Sequence, residues 1–308
     1  MEVAEEQAGQ RLDNFLHSRL KGVPKSRIYR IIRKGEVRVN KKREKPEYKL
    51  EAGDQIRIPP VRMAEPRELI PPSDALQELL SDAVLLDDPD FMVINKPAGL
   101  PVHGGTGVKT GLIEALRHMY PAMTGLELVH RLDKGTSGCI LVAKNARALK
   151  FLSDQFKTGK VNKTYHALVQ GTWPDSLEEI DAPLERCEPR GGERLVKVSP
   201  SGKSALTGFT ILEVFSAATL VQANPRTGRT HQIRVHARHA DHPLIGDDKY
   251  SEEADRERFG KLGIKRLCLH AARLELVSPG TGKRLRVDAP YDSQFEAAIS
   301  LLRQPAGD

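Results

Sequence analysis

The sequence predicts an α+β protein built as two units: a small basic N-terminal unit, then a larger one with a mixed, largely antiparallel sheet and flanking helices. Three observations predict it. Between Gln10 and Lys45, thirteen Lys/Arg stand against three Asp/Glu, a local +10 in a chain whose total is +7, so the other residues sum to −3. Pro59, Pro60, Pro66, Pro71 and Pro72 punctuate a polar stretch that reads as an extended linker. Beyond it, short apolar runs arrive as hairpins with a few helices between them, not as regular β-α-β units. The boundaries that follow are 1–60 for the first unit, 61–82 for the linker and 83–308 for the second unit.

In the first unit, Leu12, Phe15, Leu16 and Leu20 share one helical face, which Gly22 and Pro24 end. A second helix near Ser26 to Lys34 buries Ile28, Ile31 and Ile32 and stops at Gly35. Val37-Arg38-Val39, a turn at Asn40-Lys41, and Gln55-Ile56-Arg57-Ile58 after the Gly53-Asp54 turn complete a small α+β fold. Charge on a helix is usually a solvated face of mixed sign, and thirteen to three is not mixed. A basic segment attached to a nearly balanced body is the footprint of a nucleic-acid-binding module. The candidate RNA contacts are Arg11, Lys25, Arg27, Arg30, Arg33 and Lys34, which would chiefly meet phosphates and so give affinity and orientation with little sequence choice. The order of helix, basic helix, Gly35-Glu36-Val37-Arg38-Val39-Asn40 and the strand after Ala52-Gly53-Asp54 resembles the RNA-binding module of ribosomal protein S-four and its relatives.

The second unit opens with Ala83 to Leu86, a turn at Asp87-Asp88-Pro89-Asp90, and Phe91 to Ile94, a hairpin pattern. Asn95-Lys96-Pro97-Ala98-Gly99 and His103-Gly104-Gly105 follow, then a helix near Leu112 to Met119. Val129-His130-Arg131-Leu132-Asp133-Lys134-Gly135-Thr136-Ser137-Gly138 is a loop of small, turn-forming residues ahead of a buried strand from Cys139 to Ala143. An amphipathic helix from Ala146 to Phe156 places Leu149, Leu152 and Phe156 on one side. Lys163 to Val169 is a strand with Tyr165 near its start. Strands near Gly208 to Glu213 and Thr219 to Ala223 precede the turn Pro225 to Thr230, which feeds a helix through His236. Leu269 to Ala272, strands near Leu274 to Val277 and Leu285 to Asp288, and a helix through Leu302 close the chain.

An isolated Asp in a loop most often bonds its own turn. Asp133 sits between Arg131 and Lys134, and a carboxylate beside fixed positive charge in a sheltered cleft can act as nucleophile or base. The ten-residue string around it resembles the signature loop of the RluA family of RNA pseudouridine synthases. The resemblance extends over about the whole chain, through Asn95-Lys96-Pro97-Ala98-Gly99, Lys163-Thr164-Tyr165 and Thr227 to His236 in family order. It implies an enzyme that cuts the bond from ribose C1′ to uracil N1, rotates the base and rejoins it through carbon. In that reading Asp133 is the catalytic carboxylate, with attack on the sugar, addition to the base and removal of a ribose proton all open. Tyr165 stacks on the uracil, Arg234 pairs with Asp133, Arg131 and His130 hold the flipped nucleotide, and Arg229 meets the phosphate backbone. A strand Tyr is otherwise a half-buried sheet residue, and Arg229 is as well explained as a surface cation. The implied partner is large-subunit ribosomal RNA, bound by a monomer, with the choice of uridines unread, since sister synthases with nearly the same motifs modify different large-subunit uridines and stand as the alternative within the family. Gly135 departs from the family pattern, where Asp is frequent, and leaves each proposed catalytic position intact.

Other classes fit less well. The composition, 39% hydrophobic and 29% charged, is that of an ordinary globular protein. No apolar run approaches the ~20 residues of a membrane helix. Cys139, Cys187 and Cys268 lack C-x-x-C spacing, which argues for a reducing cytoplasm and against disulfides or a thiolate zinc site. His231, His236, His239 and His242 cluster within twelve positions, but His231 and His236 belong to the Thr227 to His236 string and the set does not match zinc's ligand types and spacing, so neither metal nor cofactor is expected. Gly202-Lys203-Ser204 has Lys197 where a phosphate loop needs Gly, and Gly135 to Gly138 is one residue short of a nucleophile elbow. A glycosidase needs two carboxylates flanking the bond, and the sequence offers one. The competing class is a non-catalytic RNA-binding protein of ribosome assembly that uses the basic unit alone.

Overall fold

The computed structural model describes residues 1–20, 23–61, 71–104, 110–187 and 195–304. Gly22, Pro66 and Gly105 of the patterns above, and 62–70 of the Pro-rich stretch, lie outside those residues, as does the side chain of Lys25. The chain divides into the units Met1–Leu69 and Ile70–Asp308.

In the first unit, α1 (Leu12–Arg19) and α2 (Lys25–Arg33) bury the apolar faces expected of them, Leu12, Phe15 and Leu16 against Ile28, Ile31 and Ile32. β1 (Arg38–Val39) pairs antiparallel with β2 (Ile56–Arg57), Val39 opposite Ile56, and closes that core. Gly35, just past α2, takes φ +67°, a left-handed turn that glycine makes at no steric cost. Arg30, Arg33 and Lys34 are exposed and Arg27 is half-buried. Arg11 behaves differently. Its Nη2 and Nε donate to Asp13 at 2.6 and 3.0 Å, and the Tyr29 hydroxyl donates to the same carboxylate at 2.9 Å. The Arg11 bond outweighs burial and holds Asp13 below the usual carboxylate range.

The linker expected up to residue 82 gives way to a helix once the prolines stop at Pro72. Ser73 caps α3 (Asp74–Asp82), its Oγ accepting from Leu76 N–H at 3.3 Å, and Leu80 is fully buried in the second unit's core. Strands β3 (Val84–Asp87) and β4 (Phe91–Lys96) form the expected hairpin, followed by α4 (Leu112–Met119) and β5 (Glu127–Leu128). The signature loop leads into β6 (Ser137–Ala143), then α5 (Ala146–Lys157) and β7 (Asn162–Gln170). Three short strands follow, β8 (Glu179–Asp181), β9 (Leu184–Cys187) and β10 (Leu195–Val198), the last two forming a separate antiparallel hairpin. β11 (Leu206–Val214), β12 (Ala218–Pro225), α6 (Gln232–His239), α7 (Glu253–Lys261), β13 (Leu269–Val277), β14 (Arg284–Asp288) and α8 (Ser293–Arg303) complete the order.

The main sheet runs β3-β4-β6-β13-β7-β12-β11-β8, with β14 on β13 and β5 on β6. It is mixed as expected: β6 and β13 are parallel, His270 beside Ser137, and the other pairings among the described residues are antiparallel. All seven residues of β6 are buried, because helices and strands cover both faces, so beyond Ser137 its run is continuously apolar rather than alternating. One core joins α4 and α5 to β4 and β6 through Leu112, Leu116, Leu152, Ile94 and Ile140. A second, around Trp173, Phe209, Val221 and Ile233, lies under α6. Tyr165 on β7 packs against both.

Candidate active site

The signature loop is pinned before it can do chemistry. Thr136 N–H donates to Asp133 O at 3.1 Å, closing a tight turn that presents the Asp133 side chain. Gly138 has φ +101°, and a Cβ there would lie 2.3 Å from Ala271 O, so only glycine lets β6 run this close to β13. On one side the buried Lys96 donates through Nζ to Pro97 O, Leu100 O and Lys134 O at 2.9, 2.9 and 3.2 Å. Burial, then the Arg266 charge, pushes this ammonium down to about 7. Gly99 N–H donates to the same Lys134 carbonyl at 2.9 Å. On the other side Arg266, paired with Asp292, donates to Ser137 Oγ at 3.0 Å and Gly135 O at 3.5 Å. A Cβ at Gly135 would stand 3.1 Å from Leu267 Cβ, so in this chain Leu267 occupies the space a larger residue would claim.

The string from Thr227 to His236 divides its side chains between structure and site. Gln232 is a satisfied buried amide: Oε1 accepts from Thr227 Oγ1 and Arg229 N–H, and Nε2 donates to Leu206 O and Thr207 Oγ1. His236 Nε2 donates to Ala182 O, so its Nδ1 accepts from Thr207 Oγ1. Three positions apart on the other face of α6, His231 and Arg234 turn toward Asp133, with Nε2 at 3.8 Å and Nη1 at 3.5 Å from Oδ2. Arg234 is 4% exposed, and its stronger partner is Asp247, fully buried, reached through Nε at 2.7 Å and Nη2 at 2.6 Å. Burial opposes the Arg234 charge, but the Asp247 bonds and charge prevail and raise its pKa. Asp133 thus meets a guanidinium that another acid has already fixed in orientation.

These groups line one cleft of about 810 Å³, a volume that suits a drug-sized ligand or a nucleotide. Tyr165 stands in its wall, half-buried, and burial followed by the Asp133 charge raises its phenol above the ordinary value. Exposed Arg131, Arg226 and Arg229 and half-buried Lys163 share the lining. Arg229 Nε donates to Ser204 O at 3.0 Å. His130 also faces the cleft, but its Nε2 accepts Leu141 N–H at 3.0 Å and its ring stacks on Phe156 at 4.6 Å. Burial, then Lys163, lowers its pKa to about 3, leaving a neutral ring that braces the loop. The structure therefore brings Asp133, Tyr165, Arg234, Arg131, Arg229 and His130 together. Sequence reasoning missed His231, Asp247, Lys163 and Arg266. His231 and Lys163 were visible inside recognised strings, whereas nothing local marks Asp247 or Arg266. The histidine cluster disperses: His231 meets Tyr250, His236 meets Thr207 and Ala182, and His242 Nδ1 bonds Gln170 O.

Fold and cleft define an α+β enzyme with one acid, one oriented guanidinium and one protonated phenol, preceded by a basic helical module. Residues 90–239 match the family described as RNA pseudouridylate synthase, and residues 10–56 match the S4 domain. Ribosomal large subunit pseudouridine synthase C of Salmonella typhi is 50% identical over 308 residues, 99% of this chain and 96% of that protein. The Escherichia coli K12 protein of that name is 51% identical over 305 residues, 98% and 95% of the two chains. Human RNA Pseudouridylate Synthase Domain Containing 4 superposes with a TM-score of 0.60 at 28% identity, covering 74% of this chain and 96% of its own. The chain belongs to the RNA pseudouridylate synthase family, as the sequence resemblance implied. It is an RNA pseudouridine synthase, an isomerase, with an N-terminal S4 domain.

Proposed function

We propose that this chain converts specific uridines of large-subunit ribosomal RNA to pseudouridine, with Asp133 as the catalytic carboxylate acting on a uridine swung out of its stack. The observation that carries the reading is the convergence of Asp133, Tyr165 and Arg234 in one cleft rimmed by cations. The reaction is internally balanced: the C1′–N1 bond breaks, a C1′–C5 bond forms, and the proton lost from C5 is matched by one gained at N1. Arg234 orients Asp133. Tyr165, kept protonated by burial, offers an aromatic face to the uracil and a hydroxyl for the late proton transfer. His130 shapes the wall, and Arg131 and Arg229 hold the displaced nucleotide and its phosphates. Extruding a base costs roughly a few kcal/mol. Binding energy from the S4 domain, remote from the reacting bond, offsets it. The names of the Salmonella and Escherichia relatives support the large subunit as the source of the RNA. The enzyme works as a monomer in the cytoplasm, where its free Cys139, Cys187 and Cys268 stay reduced.

The test pairs one variant with one map. Asp133→Asn is expected to lower turnover by about three orders of magnitude or more while binding RNA within about twofold of wild type. Pseudouridine mapping of ribosomal RNA from cells with and without the gene is expected to lose large-subunit positions. Full turnover by the variant, or an unchanged large-subunit map, refutes the assignment.

A further inference from the structure

We propose that His231 is a positioning residue for Asp133, held as the Nε2–H tautomer by a hydrogen bond from the Tyr250 hydroxyl. The inference rests on the reading of Asp133 as the reacting carboxylate. Among the described residues the Tyr250 hydroxyl has two hydrogen-bond partners, Val196 N–H at 3.0 Å and His231 Nδ1 at 2.7 Å. The amide can only donate, so the phenol accepts from Val196, and Nδ1 is then the one acceptor among its described partners for the phenol's own proton, the arrangement that leaves no donor idle. A neutral imidazole whose Nδ1 accepts carries its proton on Nε2. That nitrogen stands 3.8 Å from Asp133 Oδ2, the oxygen that Arg234 Nη1 approaches at 3.5 Å. Two donors gathered on one oxygen set the plane of the carboxylate and leave its other oxygen for the substrate.

The backbone points the same way. His231 occupies the N-cap of α6 with φ +54°, a sparsely populated region for a residue with a side chain, and makes no side-chain cap bond. A residue at that position ordinarily turns its side chain onto the helix N–H groups. Here the left-handed turn aims the ring at Asp133 instead. The groups facing the ring are Asp133, Arg234, Asp247, Lys249 and Tyr250. Burial outweighs the acids among them and lowers the imidazole below its ordinary value, so the ring is neutral.

The test uses the full chain. Long-range ¹H–¹⁵N spectra of histidine-labelled enzyme are expected to show His231 neutral with the proton on Nε2, and Tyr250→Phe is expected to shift it toward the Nδ1–H form. His231→Ala is expected to lower kcat about tenfold or more with KM within about twofold, through the loss of a donor turned toward the reacting carboxylate. His231→Gln, whose amide N–H takes the place of Nε2–H, is expected to recover most of that loss. A wild-type Nδ1–H tautomer, a tautomer indifferent to Tyr250→Phe, equal activity of the Ala and Gln variants, or an effect confined to KM overturns the proposal. Asp133→Asn separates the two ideas: activity there refutes the Asp133 reading, whereas the tautomer spectrum judges His231 independently.

Discussion

Two arginine–aspartate forks of nearly the same geometry occupy opposite ends of the chain. In the S4 domain, Arg11 meets Asp13 through Nη2 at 2.6 Å and Nε at 3.0 Å, and its side chain is 44% exposed. In the catalytic unit, Arg234 meets Asp247 through Nη2 at 2.6 Å and Nε at 2.7 Å, and it is 4% exposed. Distance does not separate them; solvent does. Water reaches Arg11 and can take its place beside Asp13, which is itself 7% exposed, and salt screens the pair. Removing Arg234 strands the fully buried Asp247, and removing Asp247 leaves the buried guanidinium to exposed Asp248 at 3.2 Å and to Asp133 at 3.5 Å, so it is the fork that keeps Arg234 in one orientation toward Asp133.

The sharpest way to break this comparison is Asp247→Ala. It is expected to cost about 3–5 kcal/mol of unfolding free energy, measured by urea titration, with a loss of turnover as Arg234 loses its anchor. A cost as small as that of an exposed pair would erase the distinction. Next in size is the double variant Arg30→Ala and Arg33→Ala, which removes exposed cations that form no such fork among the described residues. RNA affinity should fall, and the slope of log K against log salt should shrink by about 0.7–0.9 for each phosphate no longer neutralised, with kcat on saturating RNA unchanged. Lys96 supplies a third kind of cation, buried among carbonyls. Its pKa of about 7 in the folded chain lies below the 10.5 of the free side chain. Between those values the unfolded chain binds one more proton, so wild-type unfolding free energy should rise with pH across that window relative to Lys96→Met. Below about 7 and above about 10.5 the two curves should run parallel. The smallest effect belongs to Arg11→Ala, expected to lower RNA affinity less than Arg30→Ala in the same binding assay, because its fork is already occupied by Asp13.

Much of this was legible in the sequence, for identifiable reasons. α1, α2, α4 and α5 carry apolar stripes at helical spacing, and β6 is a continuous apolar run from Cys139 to Ala143. α7 was not read because Phe259 is its only buried residue, so it has no stripe. α3 was hidden behind the prolines that precede it, and β8 to β10 are too short to show an alternation. At the site, motif order brought Asp133, Tyr165 and Arg234 forward. What lay beyond reach was pairing across the fold. Asp247 stands thirteen residues from Arg234 on an irregular segment, and Arg266 reaches Ser137 from a distant loop. Arg11 looked like its basic neighbours because a sequence does not show that Asp13 folds back onto it. The αL backbone of His231 belongs to the turn and leaves no trace in residue type.

The parallel pairing of β6 with β13 has a consequence for biosynthesis. It joins Ser137 to His270, partners 133 positions apart, and Arg266 grips the signature loop from beside it. A chain emerging from the ribosome therefore leaves the Ser137–Gly138 end of one flank of β6 unpaired until nearly the whole second unit has been translated, while β5 already covers its Val142–Ala143 end, and such bare edges invite mispairing. Release before Arg266 leaves the loop without that grip, held by Lys96 and by the bond from Leu141 N–H to His130. Competence to modify RNA arrives late in translation, with the strand that completes the sheet.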